Sequence, residues 1–188
     1  MIDKMKRLKR ELMYRGSILD IYKDTMEFSN GKREEWDFVS HRMGAAAVLP
    51  VLPDGRIIMI RQYRNALERE TLEIPAGCRD SLTEDTKDSA IRELEEETGY
   101  KCNDISLLLK LRTTVAFCDE MVDVYLAKNL VAGEQKLDDS ESIEIEISHS
   151  SAASLRPAST SSVMLRASSA TITGATPELV RIIAYCFS

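Results

Sequence analysis

Three glutamates near the middle of the chain have a spacing suited to chemistry on a metal ion. Glu93, Glu96 and Glu97 follow an i, i+3, i+4 pattern, so on a helix their carboxylates emerge from one face. The pattern disfavours an isolated helix, because like charges one turn apart repel and all lie at the negative end of the helix dipole. A hard divalent cation such as Mg²⁺ turns that repulsion into a binding site. The alternative for such a charge run is a solvated acidic face.

The helix that presents these glutamates is predicted to start near Ser81–Thr83, because Ser81 and Glu84 have the spacing of a capping box. It is predicted to end at Gly99, since glycine readily takes the left-handed conformation that stops a helix. Its buried stripe is expected to leave the glutamates on another face, and it comprises Ala90, Ile91 and Leu94.

The residues around this helix match the signature of the Nudix hydrolases, E-x7-R-E-U-x-E-E-x-G-U, in which U is an apolar residue. The matching positions are Glu84, Arg92, Glu93, Leu94, Glu96, Glu97, Gly99 and Tyr100. The pattern fixes eight positions across seventeen residues, so the chain resembles a Nudix enzyme. It departs from the family in one place, because six residues rather than the usual five separate Gly77 from Glu84. A surface loop absorbs such an insertion at small cost.

Nudix enzymes hydrolyse a nucleoside diphosphate linked to another group, and the resemblance implies Mg²⁺ as cofactor, with Mn²⁺ as a candidate substitute. Metal ions neutralise phosphate oxygens and lower the pKa of a bound water. The resemblance makes Glu93 and Glu97 metal ligands and Glu96 either a third ligand or a support for the other two. It also makes the backbone carbonyl of Ala76 a ligand.

Two other motif residues are expected to support the site. The resemblance implies that Arg92 belongs to the catalytic machinery and orients the glutamates through charge-assisted hydrogen bonds. Glu84 is expected to hold the loop before the helix. The alternative for Glu84 is a simple negative charge at the helix start.

A general base is expected from outside the helix, where it can reach the attacking water across the site. Within the Nudix family, the ADP-ribose pyrophosphatases take this base from an acidic loop before a late strand. The matching run is 137–141, directly before the alternating segment 143–147. Glu141 is the first candidate for the base and Asp139 the second, and the alternative is an ordinary acidic turn.

The resemblance to the ADP-ribose pyrophosphatases extends to the segments Arg61–Arg64 and Leu72–Gly77, and it covers roughly residues 16–147. It makes Arg61 and Glu73 candidates for substrate binding, although a structural salt bridge is the alternative for each. A proline that this subgroup commonly carries beyond the motif is replaced by the run Thr113–Phe117. That departure bears on the substrate and leaves the reaction class unchanged.

Segments with alternating or β-branched residues predict strands on both sides of the motif helix. They are Ile18–Phe28, Arg33–Val39, Ala45–Val51, Arg56–Tyr63, Thr71–Ile74, Ile105–Thr114, Val122–Ala127 and Ile143–Ile147. Strands mixed with helices favour an α/β or α+β fold. The resemblance implies an α/β/α sandwich around a mixed β-sheet.

The first two strands are predicted to form an N-terminal antiparallel β-hairpin with a two-residue turn at Asn30-Gly31. Residues 1–42 are taken as this extension and residues 43–188 as the Nudix domain. In the ADP-ribose pyrophosphatases an N-terminal sheet helps to form a homodimer, so the resemblance implies a homodimer here. The basic residues 4–10 before the hairpin are expected to be an exposed starting segment.

Composition excludes several other classes of protein. A net charge of −6 and a pI near 5.1 argue against nucleic acid as a partner. The four cysteines lack C-x-x-C spacing, which argues against a zinc site and favours a reduced, cytoplasmic protein. No apolar run has the length of a membrane span, so no membrane partner is expected.

The end of the chain fits this scheme less well. Residues 148–169 are rich in serine and contain no acidic side chain, as in a linker. A final helix is predicted from Thr176 as N-cap and Pro177 as the first helical residue.

These observations predict hydrolysis of the diphosphate bond of ADP-ribose or a related nucleoside diphosphate sugar, giving AMP and a sugar phosphate. One alternative is a Nudix hydrolase of NADH, a dinucleoside polyphosphate or an oxidised nucleotide. Another is a Nudix module that senses a nucleotide without catalysis, although such modules usually lose a motif glutamate and this chain retains all three.

Overall fold

The computed structural model describes residues 4–139, 141–148 and 183. The described elements are β1 (Lys6–Arg15), β2 (Leu19–Glu27), β3 (Arg33–His41), β4 (Ala45–Pro50), β5 (Ile57–Arg64), β6 (Arg69–Glu73), β7 (Ala76–Cys78), α1 (Thr86–Thr98), β8 (Asp104–Arg112), β9 (Met121–Lys128) and β10 (Ile143–Ser148). This mixture of α and β structure confirms the predicted fold class. Contacts divide the chain into two units, Met1–Gly44 with Arg112–Val122, and Ala45–Leu111 with Asp123–Ser188.

The first unit contains an antiparallel sheet in the order β1-β2-β3. The predicted antiparallel hairpin is present as β2 and β3, and the basic residues 4–9 are exposed as expected. The prediction missed that this basic start of the chain is itself a strand, β1, which pairs with β2. Arg10 explains the pairing, since its guanidinium donates to both carboxylate oxygens of Asp24 over 2.7 and 2.5 Å and lies 3.8 Å from the centre of the Phe38 ring. The bond from Arg10 lowers the pKa of Asp24 below its usual value.

The turn between β2 and β3 is longer than predicted. The Phe28 amide donates to the Lys32 carbonyl and the Gly31 amide to the Phe28 carbonyl, each over 2.9 Å. Three residues therefore close the hairpin, and only Gly31 has a positive φ, of 78°. This is the usual geometry of a three-residue loop with glycine in the left-handed region, whereas the type I′ two-residue turn that Asn-Gly favours needs positive φ at both central positions.

The second piece of the first unit, Arg112–Val122, lies against the end of β3. Asp119 accepts hydrogen bonds from the Ser40 hydroxyl over 3.0 Å and the His41 amide over 2.9 Å. Cys118 forms a parallel bridge to Val39. The predicted extension did not include these residues, because their partners are about eighty positions away in the chain. The division into an extension and a Nudix domain stays a prediction.

The second unit contains two sheets, in the orders β7-β4-β9-β8 and β10-β5-β6. Helix α1 packs on β4, and between them lies a cluster of buried side chains from both layers. The cluster comprises Ala46, Val48, Ala90, Leu94, Cys102, Tyr125 and Ala127. Residues of α1 one turn apart therefore meet the core on one side, which fixes the rotation of the helix about its axis.

The start of α1 differs from the prediction. The helix begins at Thr86 with Asp85 as its N-cap, whose carboxylate accepts from the Lys87 amide over 2.8 Å. The predicted cap, Ser81, accepts from the Glu84 amide over 3.1 Å and closes a separate turn. That turn accommodates the extra loop residue. The first helical residue is also held by a tertiary contact, because the Thr86 hydroxyl bonds to the Asp123 carboxylate of β9 over 2.9 Å.

The serine-rich segment 148–169 and the predicted final helix lie outside the described residues, apart from Ser148 at the end of β10 and Ile183. Ile183 is helical and buried, with 3% of its surface exposed. Within the described residues, none of the helical structure has the length and apolar character needed to cross a membrane.

Candidate active site

Two of the motif glutamates are buried on the face of α1 that meets β7. Glu93 is 8% exposed and Glu97 is 4% exposed. The predicted stripe was therefore incomplete, because the helix buries these carboxylates together with Ala90 and Leu94, whereas Ile91 is only half-buried. The glutamates are spaced as the motif predicted. Strand β7 covers these glutamates, whereas the sequence analysis predicted no strand in that segment.

Strand β7 follows the carboxylates closely. The Ala76 amide donates to Glu97 Oε2 over 2.9 Å. At Gly77 the approach is closer still, because a Cβ on that residue would overlap both carboxylate oxygens of Glu93. Only glycine leaves room there for the carboxylate, which explains physically why the motif segment has no side chain at this position.

Burial and neighbouring negative charges shift the pKa values of both carboxyls upward. Burial, with the charges of Glu93 and Glu141 adding to it, raises the pKa of Glu97 to about 8. Burial also raises the pKa of Glu93 to about 7, although the Arg92 charge opposes the shift. Two carboxyls that resist ionisation side by side favour a bound cation, which supplies the missing positive charge.

Arg92 forms hydrogen bonds with several polar groups near Glu93 and Glu97. Its guanidinium donates to Glu93 over 2.8 Å and to Glu96 over 3.0 Å, and its Nη2 donates to the Cys78 carbonyl over 3.0 Å. Partial burial lowers the pKa of Arg92, but the surrounding carboxylates outweigh this and raise it. Arg92 is thus bonded to both the helix and the end of β7, and its role in orienting the glutamates stays a prediction.

Glu84 lies at the edge of this network. Its carboxylate accepts from the Asp80 amide over 2.6 Å and lies 3.4 Å from Arg92. These contacts link the loop before α1 to the motif arginine. They correspond to the predicted loop-holding role.

Glu96 has a different environment from its two neighbours. Its side chain is 41% exposed and pairs with Arg92. Among the described residues, no three carboxylate, imidazole or thiolate side chains converge so as to hold a metal ion by themselves. Its contacts are those of a support for Arg92, and its assignment as a third ligand stays a prediction.

The residues present nevertheless fit a divalent ion. Glu93 and Glu97 provide two buried carboxylates, and the backbone of Ala76 and Gly77 passes directly over them. Hard divalent cations bind through such carboxylate and carbonyl oxygens, with water completing the shell. The ligand assignments of Glu93, Glu97 and the Ala76 carbonyl stay predictions.

The acidic run before β10 forms a small turn. The Glu141 amide donates to the Asp138 carbonyl over 2.9 Å, and the Asp138 amide donates to the Glu141 carboxylate over 3.2 Å. Glu141 is exposed, yet its charge contributes to the raised pKa values of Glu93 and Glu97. Asp139 is exposed as well. The electrostatic coupling favours Glu141 as the base, and both assignments stay predictions.

The two predicted substrate residues are engaged in ion pairs. Arg61 donates to Glu146 across the β5–β10 pairing over 2.5 Å. Glu73 accepts from Arg64 Nε over 2.8 Å and from the Thr71 hydroxyl over 2.5 Å. Burial raises the pKa of Glu73, but these bonds outweigh it and hold the pKa below its usual value. The substrate roles of Arg61 and Glu73 stay predictions.

The sequence prediction did not include Arg64, which the structure connects to the acidic pair. Glu97 contributes to the raised pKa of Arg64, and Arg64 lowers the pKa of Glu97. The alternation of side chains between the two faces of β5 could have indicated Arg64. Arg64 and Gln62 share a face with Glu73, whereas Arg61 points to the other face, toward Glu146.

A buried carboxylate pair on a helix, covered by a glycine-containing strand and flanked by arginines, defines a site for metal-assisted chemistry on phosphates. The chain belongs to the Nudix family, because the NUDIX domain model matches residues 41–163. Enzymes of this family generally use divalent metal ions.

Comparison with known proteins gives the same family. An ADP-ribose pyrophosphatase of Bacillus subtilis (strain 168) is 40% identical over 142 residues, covering 74% of this chain and 76% of that protein. A methanol dehydrogenase activator of Bacillus methanolicus is 37% identical over the same length, with the same coverage. A crystal structure of an ADP compounds hydrolase superposes with a TM-score of 0.70 at 25% identity, covering 79% of this chain and 80% of that one.

Proposed function

We propose that the protein hydrolyses the diphosphate bond of ADP-ribose, or of a closely related nucleoside diphosphate sugar, to AMP and a sugar phosphate. The observation that carries the proposal is the buried pair Glu93 and Glu97 beneath Gly77. It occurs in a chain 40% identical to the ADP-ribose pyrophosphatase of Bacillus subtilis. The proposed cofactor is Mg²⁺, with Mn²⁺ as its substitute.

Glu93, Glu97 and the Ala76 carbonyl would hold the ion. When bound, it neutralises the phosphate oxygens and makes a water molecule more acidic. The carboxylates are kept in place by the Ala76 amide, which bonds Glu97, and by Arg92, which bonds Glu93. Because these contacts exist before substrate arrives, little reorganisation is required at the moment of reaction.

The reaction itself transfers one phosphoryl group of the diphosphate to water. The oxygen of a water molecule forms a bond to one phosphorus, and the bond from that phosphorus to the bridging oxygen breaks. Glu141 accepts the proton of the attacking water, and the bridging oxygen leaves with the second phosphate as AMP or ribose 5-phosphate. General base catalysis of this kind contributes about 10²–10⁴-fold to the rate.

Arg64 is the proposed partner of the substrate diphosphate. Glu73 fixes its guanidinium with two hydrogen bonds, and its charge is felt at Glu97. A guanidinium that already has one carboxylate partner keeps further donors for a phosphate oxygen. Glu73 then acts by holding Arg64 in place.

The quaternary structure is proposed to be a homodimer formed through the N-terminal sheet of residues 1–42. Exposed apolar side chains on β1 support this, among them Leu12, Met13 and Tyr14, which are 44, 60 and 62% exposed. Sedimentation should show a dimer that dissociates when residues 1–42 are removed. A full-length monomer would end the idea.

A cytoplasmic location is also proposed. Its support is that Cys102 and Cys118, in the described part of the chain, form no disulfide. Free thiols are typical of a reducing compartment.

Product release from a panel of substrates tests the proposed activity. The panel holds ADP-ribose, ADP-glucose, NADH, a diadenosine polyphosphate and 8-oxo-dGTP, each with Mg²⁺ and with chelator. AMP and ribose 5-phosphate from ADP-ribose, with the other compounds slow, is the expected result. Activity on another compound alone would make that compound the substrate in place of ADP-ribose. Inactivity on all of them would favour a nucleotide-binding module.

A further inference from the structure

The end of α1 is capped by a distant segment of the chain, residues 133–136, which we call the cap segment. The last carbonyls of a helix have no partners within it. Here the Lys136 amide donates to the Glu96 carbonyl over 2.9 Å, and the side-chain amide of Gln135 donates to the Glu97 carbonyl over 2.6 Å. The cap segment therefore provides hydrogen-bond donors for the backbone carbonyls of Glu96 and Glu97.

The cap segment packs against Gly99 without spare room. A Cβ on Gly99 would lie 2.7 Å from the Glu134 carbonyl carbon and 2.8 Å from the Gln135 nitrogen. A Cβ on Gly133 would lie 2.6 Å from the Gly99 oxygen. Such contacts hold the backbone on which Gln135 is carried in one place relative to the helix end.

Gln135 also reaches the strand that follows the acidic run. Its Nε2 donates to the Ile143 carbonyl over 3.1 Å as well as to the Glu97 carbonyl. Both neighbours are acceptors, so only the amide nitrogen, with its two hydrogens, can face them. The half-buried side chain of Gln135 thus joins the backbone of Glu97 to the start of β10.

The acidic run lies between these anchors. Its own hydrogen bonds, from Glu141 to Asp138 and back, shape the turn. They do not set its position relative to α1, because both partners are within the turn. Two residues after Glu141, Ile143 pairs with Gln62 of β5, and the bond from Gln135 adds the link from Ile143 to the end of α1.

We propose that Gln135 is a positioning residue for the hydrolysis, which holds Glu141 at its working distance from Glu93 and Glu97 by tying Ile143 to the end of α1. The inference rests on the proposed function, in which Glu141 accepts the proton of the attacking water. Loss of the tie lets the acidic run move away from the carboxylate pair, and a displacement of about 1 Å costs up to about 100-fold in rate.

The test compares Gln135→Met, which keeps the length of the side chain and removes its donors, with the wild-type protein. The matched control is Lys136→Ala, which removes a neighbouring side chain that bonds the Glu95 carboxylate and keeps the backbone bond to the Glu96 carbonyl. We expect Gln135→Met to lower kcat about tenfold or more, with KM changed less than about twofold. Lys136→Ala should retain wild-type kcat and KM.

A double-mutant cycle separates positioning from general destabilisation. If Gln135 acts through Glu141, Gln135→Met should cause no further loss of kcat in a Glu141→Gln background. If the two losses multiply instead, the proposal is overturned. Gln135→Glu, which turns the donor into an acceptor, is measured in parallel and should lose at least as much kcat as Gln135→Met.

Amide hydrogen exchange gives a readout that does not depend on activity. Full-length Gln135→Met should exchange faster than wild type in the peptide that contains residues 137–143, while α1 and the Lys136→Ala control are unchanged. Unchanged exchange at 137–143 overturns the proposal. If the wild-type protein is inactive on every substrate, the proposed function fails, and the exchange comparison still decides whether Gln135 holds the acidic run.

Discussion

The carboxylate of Glu93 occupies the space that a side chain on residue 77 would need. Gly77→Ala should therefore displace Glu93 or push β7 away from α1. We expect kcat to fall at least about 100-fold and the free energy of unfolding to fall by about 1–3 kcal/mol. Steady-state kinetics and urea unfolding measure the two effects.

Gly31→Ala is the matched control for this substitution. Gly31 has a φ of 78° and open space around its Cβ position, so alanine there meets backbone strain and no overlap. It should lower stability by about 1 kcal/mol and leave kcat unchanged. Equal activity of Gly77→Ala and Gly31→Ala would show that the contact with Glu93 has no role in catalysis.

The raised carboxyl pKa values predict how stability of the metal-free protein depends on pH. Between the ordinary carboxyl value of 4.5 and the value of about 8 for Glu97, the folded protein binds more protons than the unfolded chain. The contribution of Glu97 to stability is therefore largest below pH 4.5 and is lost as the pH rises toward 8. The pKa of Glu93 is raised to about 7, so its contribution to stability is also lost as the pH rises.

Glu97→Gln isolates this effect, because its amide oxygen can still accept from the Ala76 amide but cannot ionise. In chelator at pH 5, wild type and Glu97→Gln should unfold at similar denaturant concentrations. At pH 9 the variant should be the more stable, by on the order of 1 kcal/mol or more. A wild-type protein that becomes the more stable of the two at pH 9 would contradict the raised pKa of Glu97, which burial and the Glu93 charge cause.

Much of the site follows from the sequence, because the motif glutamates and Arg92 are local on one helix and their spacing fixes a common face. Features that depend on partners elsewhere in the chain could not be predicted from the sequence. The helix starts at Thr86, where the hydroxyl bonds Asp123, and the N-terminal segment becomes a strand because Arg10 meets Asp24. These partners are 37 and 14 positions apart, so neither contact leaves a pattern within one element, although Asp85 is a local N-cap signal for the helix start.

The acidic run offers a direct comparison of two candidate bases. Glu141→Gln should lower kcat at saturating Mg²⁺ by about 10²–10⁴-fold, since it removes the proton acceptor whose charge already reaches Glu93 and Glu97. Asp139→Asn should have the smaller effect. The reverse order would transfer the role of base to Asp139.

Arg64 and Arg61 are expected to differ in substrate binding. Arg64→Ala removes the cation whose charge reaches Glu97 and should raise KM for ADP-ribose about 10-fold or more. Arg61→Ala, which releases the partly exposed pair with Glu146, should change KM by less than about threefold. A larger rise in KM for Arg61→Ala would return the substrate role to Arg61.

The most direct test of the central claim is the release of AMP and ribose 5-phosphate from ADP-ribose by wild type and by Glu97→Gln at saturating Mg²⁺. We expect turnover that chelator abolishes in the wild-type protein, and loss of turnover by about 10³-fold or more in a variant that remains folded. Wild-type turnover that survives chelation, or a fully active Glu97→Gln protein, would contradict a metal-assisted site built on the buried carboxylate pair.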